Sequence, residues 1–393
     1  LPPSSCLAMV TLQPLDRGDV AALQAVRSWL RDGAPSTKPS FFSSWNFSYD
    51  PCSFEGVLCD HSAAGGASRV VSLNLGSAIA GSAGLRGRLH PALGSLSELL
   101  QLSLSPGRVA GLIPRTIGQL CKLQNLGLSH NRLAGTVPPQ IGDLKRLIGL
   151  DFSFNRLTGG VPESLAALPS LISLGLAHNR LGGYLPASFS GAMALEQIDL
   201  RRNSFMGALP TTLPPSLQRL ILSHNKLTGT LHPILSAPQL TFIDLSRNQL
   251  SGMIPAQIFS LPSLSSLLLS WNHLAGDVAP NDSVRISTLD LSFNELTGSI
   301  SPRFAFVQNL LLNNNRFAGE VPAQFAEELL AASMKTLFLQ HNYLTGFPPV
   351  AAESLPLTAS LCIRYNCMPP PVDSLCPQNA GSQSIRPSDQ CIP

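Results

Sequence analysis

Residues 128–147 read LSHNRLAGTVPPQIGDLKRL, and residues 152–171 repeat the same pattern as FSFNRLTGGVPESLAALPSL. Aligned on the asparagine, the pattern is Leu-x-x-Leu-x-Leu-x-x-Asn, and it recurs in steps of 21 to 27 residues. Its asparagines are Asn131, Asn155, Asn179, Asn203, Asn225, Asn248, Asn272, Asn294, Asn315, Asn342 and Asn366. Two degenerate copies precede them, with Ala78 and Gly107 in place of the asparagine. Self-similarity at this period predicts a solenoid in which each repeat forms one coil.

The spacing assigns a physical role to each fixed letter. Leu-x-Leu predicts a short strand whose alternate side chains point inward, so the inner leucines of successive coils form one core. The asparagine amide satisfies backbone groups that the turn would otherwise leave buried and unpaired. The Leu or Phe two residues later closes the core, and the glycine two residues after that permits a tight turn. The expected fold is an α/β right-handed solenoid of about thirteen coils, with a parallel sheet on its concave face.

The second half of each repeat carries Gly-x-Φ-Pro, where Φ is Val, Leu or Ile, as in GTVPPQIGDL and GMIPAQIFSL. This half resembles the plant-specific class of leucine-rich repeats, whose pattern is LxGxIPxxLxxLxxLxxLxLxxNx. The resemblance covers about residues 70–366. That class forms the ectodomains of plant receptor kinases and receptor-like proteins, and the polygalacturonase-inhibiting proteins.

The N-terminal flank extends the resemblance. Asp16 and Asp19, followed by apolar residues on one face, predict a capped helix that stops at Gly33. The stretch FFSSWNFSYDPCSFEGVLCD then resembles the plant cap motif SSWN…DPCxWxGVxCD, with Phe54 where tryptophan is usual. The resemblance implies an N-terminal cap over residues 1–68, a repeat array over 69–357, and a last coil with a cysteine-rich cap over 358–393.

The cysteines cluster near the two ends of the chain and indicate an oxidising compartment. Zinc is the rival interpretation, but the spacings fit no standard finger. The resemblance implies a Cys52–Cys59 disulfide. Two further bonds are expected among the C-terminal cysteines, with three connectivities left open; these cysteines are Cys362, Cys367, Cys376 and Cys391. Cys6 and Cys121 are expected to stay unpaired rather than to join each other.

Composition narrows the class of partner. Only 12% of residues are charged, and 26 Lys and Arg nearly balance 23 Asp and Glu, which disfavours nucleic acid and anionic membranes. No apolar run reaches the roughly 18–20 residues that span a bilayer. The chain begins at Leu1, so an upstream secretion signal is expected to have been removed, and a membrane anchor after Pro393 stays open. The expected location is secreted or extracellular, in the cell wall or apoplast, with glycosylation at Asn46 and Asn281.

The sequence carries no recognisable catalytic motif, so we expect a protein that is not an enzyme and has no cofactor. Asp151, Asp199, Asp244 and Asp290 share one outward strand position in alternate repeats, at roughly 10 Å spacing. This spacing slightly exceeds the carboxylate separation of inverting glycosidases, about 6.5–9.5 Å. Four histidines precede ladder asparagines, but they are not on consecutive coils, and no metal site is expected; they are His130, His178, His224 and His341.

The outward strand positions predict where a ligand binds. In the N-terminal half they are small or polar, as at Asn125 and Gly127, whereas from the seventh coil onward many are apolar. The predicted exposed apolar patch consists of Ile221, Phe242, Leu268, Trp271, Phe293, Leu311 and Phe338. Bordering arginines that would hold a carboxylate or sulfate are Arg201, Arg202, Arg219 and Arg247. The alternative is that some of these side chains pack against one another.

Two main functional hypotheses follow from the resemblance. The first is an extracellular recognition protein for defence or development that binds a peptide, protein or wall polysaccharide on its concave face and signals through a receptor kinase. The second is a secreted inhibitor of a cell-wall-degrading enzyme, although this chain has about three more repeats than such inhibitors usually carry. A structural wall protein is a third class, but no Ser-Pro repeats of the hydroxyproline type occur. A membrane helix after residue 393 would favour the first hypothesis, and a stop codon would leave the first two open.

Overall fold

The computed structural model describes residues 14–32, 40–61, 66–76, 84–350, 355–370, 376–377, 381 and 383–391. The chain divides into two compact units. The first unit comprises residues 1–158 and 168–171, and the second comprises residues 159–167 and 172–393. Cys6 lies outside the described residues. The proposed boundaries between caps and repeat array stay a prediction.

The first unit starts with one α-helix and continues as strands joined by short 3₁₀ helices. Its helix is α1 (Arg17–Trp29), and its strands are β1 (Leu30–Asp32), β2 (Val57–Asp60), β3 (Arg69–Leu75), β4 (Leu85–Arg88), β5 (Gln101–Leu104), β6 (Gly107–Gly111), β7 (Asn125–Gly127), β8 (Arg132–Thr136), β9 (Gly149–Asp151) and β10 (Arg156–Thr158). The order β2-β3-β5-β7-β9 forms one sheet, and β1-β4-β6-β8-β10 forms a second. Strands β1 and β2 are antiparallel to β4 and β3, and the remaining pairs are parallel.

Helix α1 is anchored by a buried ion pair. Asp16 caps the helix as predicted, accepting hydrogen bonds from the backbone N–H groups of Gly18 (2.8 Å) and Asp19 (3.3 Å). Asp19 does not complete a capping box; it is fully buried and accepts two 3.0 Å hydrogen bonds from Arg69. These hydrogen bonds raise the pKa of Arg69 above its ordinary value, although burial opposes them. The helix ends at Trp29 rather than at the predicted stop, because the next residue enters β1 and pairs with β4.

The second unit repeats the same coil. Its strands are β11 (Ser173–Gly175), β12 (Gly182–Tyr184), β13 (Gln197–Asp199), β14 (Ser204–Gly207), β15 (Arg219–Ile221), β16 (Lys226–Leu227), β17 (Phe242–Asp244), β18 (Ser251–Gly252), β19 (Ser266–Leu268), β20 (His273–Asp277), β21 (Thr288–Asp290), β22 (Glu295–Thr297), β23 (Asn309–Leu311), β24 (Ala318–Glu320), β25 (Thr336–Phe338), β26 (Tyr343–Gly346) and β27 (Ser360–Cys362). The odd-numbered strands form one parallel sheet. The even-numbered strands form three short parallel sheets. The parallel-strand repeat fold is confirmed.

The ladder asparagines have the role that the pattern predicts. Asn272 donates from Nδ2 to the carbonyls of Leu245 (3.0 Å) and Leu269 (3.0 Å), and its Oδ1 accepts from the N–H of Leu250 (3.0 Å). Asn131 makes the equivalent bonds in the first unit, including 2.7 Å to the Leu104 carbonyl. One side chain thus satisfies backbone groups of its own coil and of the preceding coil, which water cannot reach.

In most repeats a 3₁₀ turn follows the Gly-x-Φ-Pro segment or its equivalent. In the first unit these turns are Pro91–Ser95, Arg115–Gln119 and Pro139–Asp143, and in the second they are Glu163–Ala167, His232–Ser236, Ala256–Ser260 and Pro302–Phe304. Further 3₁₀ turns lie outside the repeats, at Phe41–Ser44, Pro51–Ser53 and Ser388–Gln390. The long repeat with AQFAEELL instead forms a second α-helix, α2 (Ala323–Leu330), because its extra residues suffice for two helical turns.

The cysteines form disulfides in both units. Cys52 bonds to Cys59, the pair that the resemblance implies. The C-terminal bonds are Cys362–Cys376 and Cys367–Cys391, one of the three connectivities that the sequence left open. Cys121 is a free, exposed thiol. Both sequon asparagines, Asn46 and Asn281, are exposed, and their glycosylation stays a prediction.

Candidate ligand-binding face

The residue before each ladder asparagine has a left-handed backbone. Its φ lies between 53° and 60° at His130, Phe154, His178, Arg202, His224, Arg247, Trp271, Phe293, Asn314, His341 and Tyr365. Glycine is the residue that adopts this conformation without steric cost, yet none of these positions is glycine. No glycine in the sequence marks these positions as having this left-handed conformation. Its consequence is that large side chains end the strands and can stack coil on coil.

An aromatic stack lies in the second unit. The rings of Trp271 and Phe293 have centroids 3.9 Å apart and are nearly parallel, at 11°. The guanidinium carbon of Arg247 lies 4.8 Å from the Trp271 ring centroid, on the neighbouring coil. Trp271 is 44% exposed. Stacked rings contribute about 0.5–1.5 kcal/mol beyond their burial, so the stack is ordered before any ligand arrives.

The predicted apolar patch is less continuous than the sequence suggested. Ile221 is only 5% exposed, so its assignment to the exposed patch was wrong. Asp244 pairs in register with Ile221 on one side and with Leu268 on the other, and Asp290 separates Leu268 from Leu311. Acidic and apolar side chains therefore alternate from one strand to the next at this outward position.

The other predicted patch residues are half-buried rather than fully exposed; they are Phe242, Leu268, Phe293, Leu311 and Phe338. The Arg219 guanidinium carbon lies 4.7 Å from the ring centroid of Phe242, as Arg247 does with Trp271. The outward side chains of β13 to β25, together with the residue before each ladder asparagine in these coils, are called the recognition face below. Trp271 is its most exposed aromatic side chain among the described residues.

The aspartates of this face hold the backbone. Asp244 Oδ1 accepts hydrogen bonds from the backbone N–H (3.1 Å) and hydroxyl (2.6 Å) of Ser246. Asp290 makes the same pair of bonds to Ser292, at 3.0 Å and 2.6 Å. These carboxylates order the strand ends, which is a structural role for the residues considered as catalytic candidates.

A cationic group borders the aromatic stack. Arg202, His224 and Arg247 occupy the position before the asparagine on three consecutive coils. Burial lowers the pKa of His224, as do the positive charges of Arg202 and Arg247, whereas Asp244 raises it. Arg201, also predicted to hold an anion, has its Nε 3.3 Å from Asp199 Oδ2 and is already paired. Arg202 and Arg247 are therefore the better anion ligands.

Sequence reasoning missed two buried amides on the same sheet. Asn313 and Gln340 are 6% and 4% exposed, and their side-chain oxygens have no hydrogen-bond partner within the described residues. They precede the ladder asparagine by two residues on neighbouring coils, where several other repeats of this unit carry serine. This departure from serine is visible in the sequence and could have been used to find the two amides. Buried acceptors without a donor are costly, so these two oxygens lower the stability of the coils that carry them.

Neither a metal-type cluster of side chains nor a membrane-spanning helix occurs among the described residues. Within them, no three His, Cys, Asp or Glu side chains come together as a metal ion requires. None of their helices is long and apolar enough to cross a bilayer. His130 instead stacks on Phe154, with ring centroids 4.2 Å apart.

Comparisons with known proteins agree with this architecture. A family model described as leucine rich repeat matches residues 121–181 and 215–274, and another matches 285–307. A model of the leucine rich repeat N-terminal domain matches residues 16–60. Receptor-like protein 39 of Arabidopsis thaliana is 32% identical over 115 residues, which cover 28% of this chain and only 13% of that protein.

Two solved structures extend the comparison. The plant peptide hormone receptor RGFR1 in complex with RGF2 is 32% identical, with a TM-score of 0.67 over 72% of this chain and 46% of that one. A plant ice-binding protein is 26% identical, with a TM-score of 0.57 over 86% of this chain and 100% of that one. The shared fold therefore serves different functions. The repeats and these likenesses show a leucine-rich repeat chain that is similar to plant receptor-like proteins and receptor ectodomains.

Proposed function

We propose that this chain is an extracellular recognition protein, not an enzyme, that binds an extended peptide or protein segment on the recognition face. The observation that carries the proposal is the exposed Trp271–Phe293 stack, with Arg247 over the indole and Arg202 on a nearby coil. Exposed aromatic and arginine side chains supply most of the binding energy in protein interfaces.

The accessible polar side chains of the face fit a peptide as the ligand. A peptide main chain offers N–H donors and C=O acceptors at regular spacing, and half-buried polar side chains such as Asn309 and Asn314 lie on the face. A carboxylate on the same ligand would pair with Arg202 or Arg247, which offer planar guanidinium groups. The resulting ligand is an extended peptide with an acidic group near the cations and an apolar or aromatic residue over Trp271.

The relatives give the proposal its biological setting. Several similar curated proteins are named receptor-like proteins, another is a receptor kinase, and one similar solved structure is a plant peptide hormone receptor in complex with RGF2. We propose a location in the cell wall or apoplast, where its disulfides would be stable. A receptor kinase is the candidate partner that would carry the signal onward. A wall polysaccharide ligand is less favoured, because the face offers aromatic and cationic groups rather than many hydroxyl partners.

Selection from a phage-displayed library of random dodecapeptides tests the proposal. Binders are selected on the wild-type protein and then titrated against Trp271→Ala and Leu311→Asp. Each substitution should weaken binding by about 2 kcal/mol if the face is the site. Tyr184→Ala is the matched control, since this exposed tyrosine lies on the separate sheet formed by β12, β14 and β16. Equal affinity of all three variants and the wild type would move the site elsewhere.

A further inference from the structure

The first unit contains a groove that the recognition face does not include. It has a volume of about 590 Å³ and lies where β4, β6 and β8 end and their 3₁₀ turns begin. Its lining includes Trp29, Leu112, Pro114 and Pro138, with Arg88 and Arg115 among the polar residues. None of the residues that line this lateral groove belongs to the column before the ladder asparagines.

Glycine positions create the groove. A Cβ built on Gly135, whose φ is +78°, would lie 2.4 Å from Leu112 Cδ2. A Cβ built on Gly111, with φ +87°, would lie 3.4 Å from the Arg88 side chain. The Arg88 side chain therefore packs over Gly111, and the Leu112 side chain packs over Gly135, in each case the glycine of the next coil. Leu112 is 68% exposed there and presents an apolar surface beside the groove.

The charges of the groove indicate the sign of its occupant. Arg88 and Arg115 are exposed, and no described carboxylate lies within 4.0 Å of either guanidinium. The groove lining contains no Asp or Glu. An apolar floor with two unpaired guanidinium groups fits a partner that carries carboxylates beside apolar side chains.

The lining distinguishes a peptide from an acidic sugar. Tryptophan, leucine, isoleucine and proline dominate it, and sugar hydroxyls buried against them would lose their hydrogen bonds to water. Three neighbouring strands end at the groove, and adjacent strands lie about 4.8 Å apart, so the strand ends span about 10 Å. This distance is the length of about three extended residues. We propose that the lateral groove binds a short extended segment of a partner protein in which acidic residues flank an apolar one.

An array of random heptapeptides tests this proposal directly. On the wild-type protein, the bound peptides should be enriched in Asp or Glu next to Leu, Phe or Pro. Arg88→Glu/Arg115→Glu should lose at least about tenfold in affinity for the best peptide, equivalent to about 1.4 kcal/mol. Arg108→Glu/Arg132→Glu is the matched control: it makes the same change in net charge on β6 and β8 but outside the groove lining, and should lose less than about twofold.

Two further variants keep the result interpretable. Leu112→Asn, at an exposed position that should not affect folding, should weaken the same peptide by about fivefold. A second peptide, with its acidic residues replaced by lysine, should bind the Arg88→Glu/Arg115→Glu protein more tightly than it binds the wild-type protein. A variant that was merely damaged would not gain affinity for any peptide. Trp271→Ala should leave all of these affinities unchanged, so the result stands apart from the recognition face.

The proposal is overturned if no selected peptide depends on Arg88 and Arg115, or if the two double variants behave alike. A uronic-acid trisaccharide is spotted on the same array. The proposal is also overturned if this sugar binds in a way that depends on Arg88 and Arg115 and no peptide does.

Discussion

The sheet faces of the two units differ although their interiors are built alike. Asn131 in the first unit and Asn272 in the second make the same set of backbone hydrogen bonds, and the inner leucines around both are fully buried. At the outward strand positions the first unit presents small or polar residues such as Gly127, whereas the second presents Phe242 and Leu268. The column before the ladder asparagines is aromatic in both, with Phe154 stacked on His130 in the first unit and Trp271 on Phe293 in the second. Inward positions thus determine the coil, and outward positions are free to vary with function.

The largest expected effect concerns an ion pair of the first unit, between Asp19 and Arg69. Asp19→Ala leaves Arg69 without its carboxylate partner and should cost about 4 kcal/mol, because the carboxylate of this pair is buried and the arginine is only partly exposed. Hydrogen exchange read by mass spectrometry should show lost protection in β3 and α1 and unchanged protection in β17 to β21. Asp16→Ala, which removes only the cap, should cost about 1 kcal/mol. Equal losses from both variants would show that the ion pair is dispensable.

The next effect should be the same in both units. Asn131→Ala and Asn272→Ala each remove the partner of several buried backbone groups and should each cost about 3 kcal/mol in the free energy of unfolding. Gln249→Ala, at an exposed position after a ladder asparagine, should change stability by less than about 0.5 kcal/mol. Urea denaturation measures all three. A large difference between the two asparagine variants would contradict the claim that the interiors are alike.

The buried residues of each coil could be predicted from the sequence because they recur at a fixed period. Asn272 and Leu267 could be placed from the pattern alone, and the structure confirms both. The outward face was harder to predict. Ile221 occupies an outward column yet is buried, and the period of the repeat does not encode the contacts that bury an outward side chain.

Other features of the sites depend on residues that are distant in sequence or on backbone geometry. The left-handed φ at Trp271 gave no glycine signal, and the unpaired oxygens of Asn313 and Gln340 became visible only with their surroundings. The lateral groove joins Trp29 of α1 to Leu112, a juxtaposition that comes from packing of the cap on the first coils. The C-terminal cysteine pairing likewise needed coordinates, since three connectivities fit the sequence.

An intermediate effect is expected from the disulfide of the first unit. Cys52→Ser/Cys59→Ser opens a loop with a sequence separation of 7 and should cost about 2.5 kcal/mol by the loop-entropy relation. Because neighbouring coils interact mainly with each other, the loss of protection should be confined to the first unit. Hydrogen exchange in β13 to β21 serves as the internal control. Loss of protection there as well would contradict the nearest-neighbour view of the coils.

The smallest effect is a pH dependence confined to the second unit. The pKa of His224 is lowered in the folded protein, so the unfolded chain takes up the proton more readily. Stability should therefore decline as the pH falls below about 6.5, the ordinary histidine value. The effect should be small because this histidine is only half-buried. The urea midpoint should fall less for His224→Gln than for the wild type between about pH 7.5 and about pH 5.5. Identical shifts would exclude His224 as the titrating group.

The most direct test of the central claim is the affinity of one selected peptide for Trp271→Ala, measured by calorimetry beside the wild type and Tyr184→Ala. The account predicts a loss of about 2 kcal/mol for Trp271→Ala, near thirtyfold in the dissociation constant, and no change for Tyr184→Ala. Circular dichroism should show the same fold for all three proteins. An undiminished affinity of Trp271→Ala would contradict the claim that the outward face of the second unit is where this protein recognises its ligand.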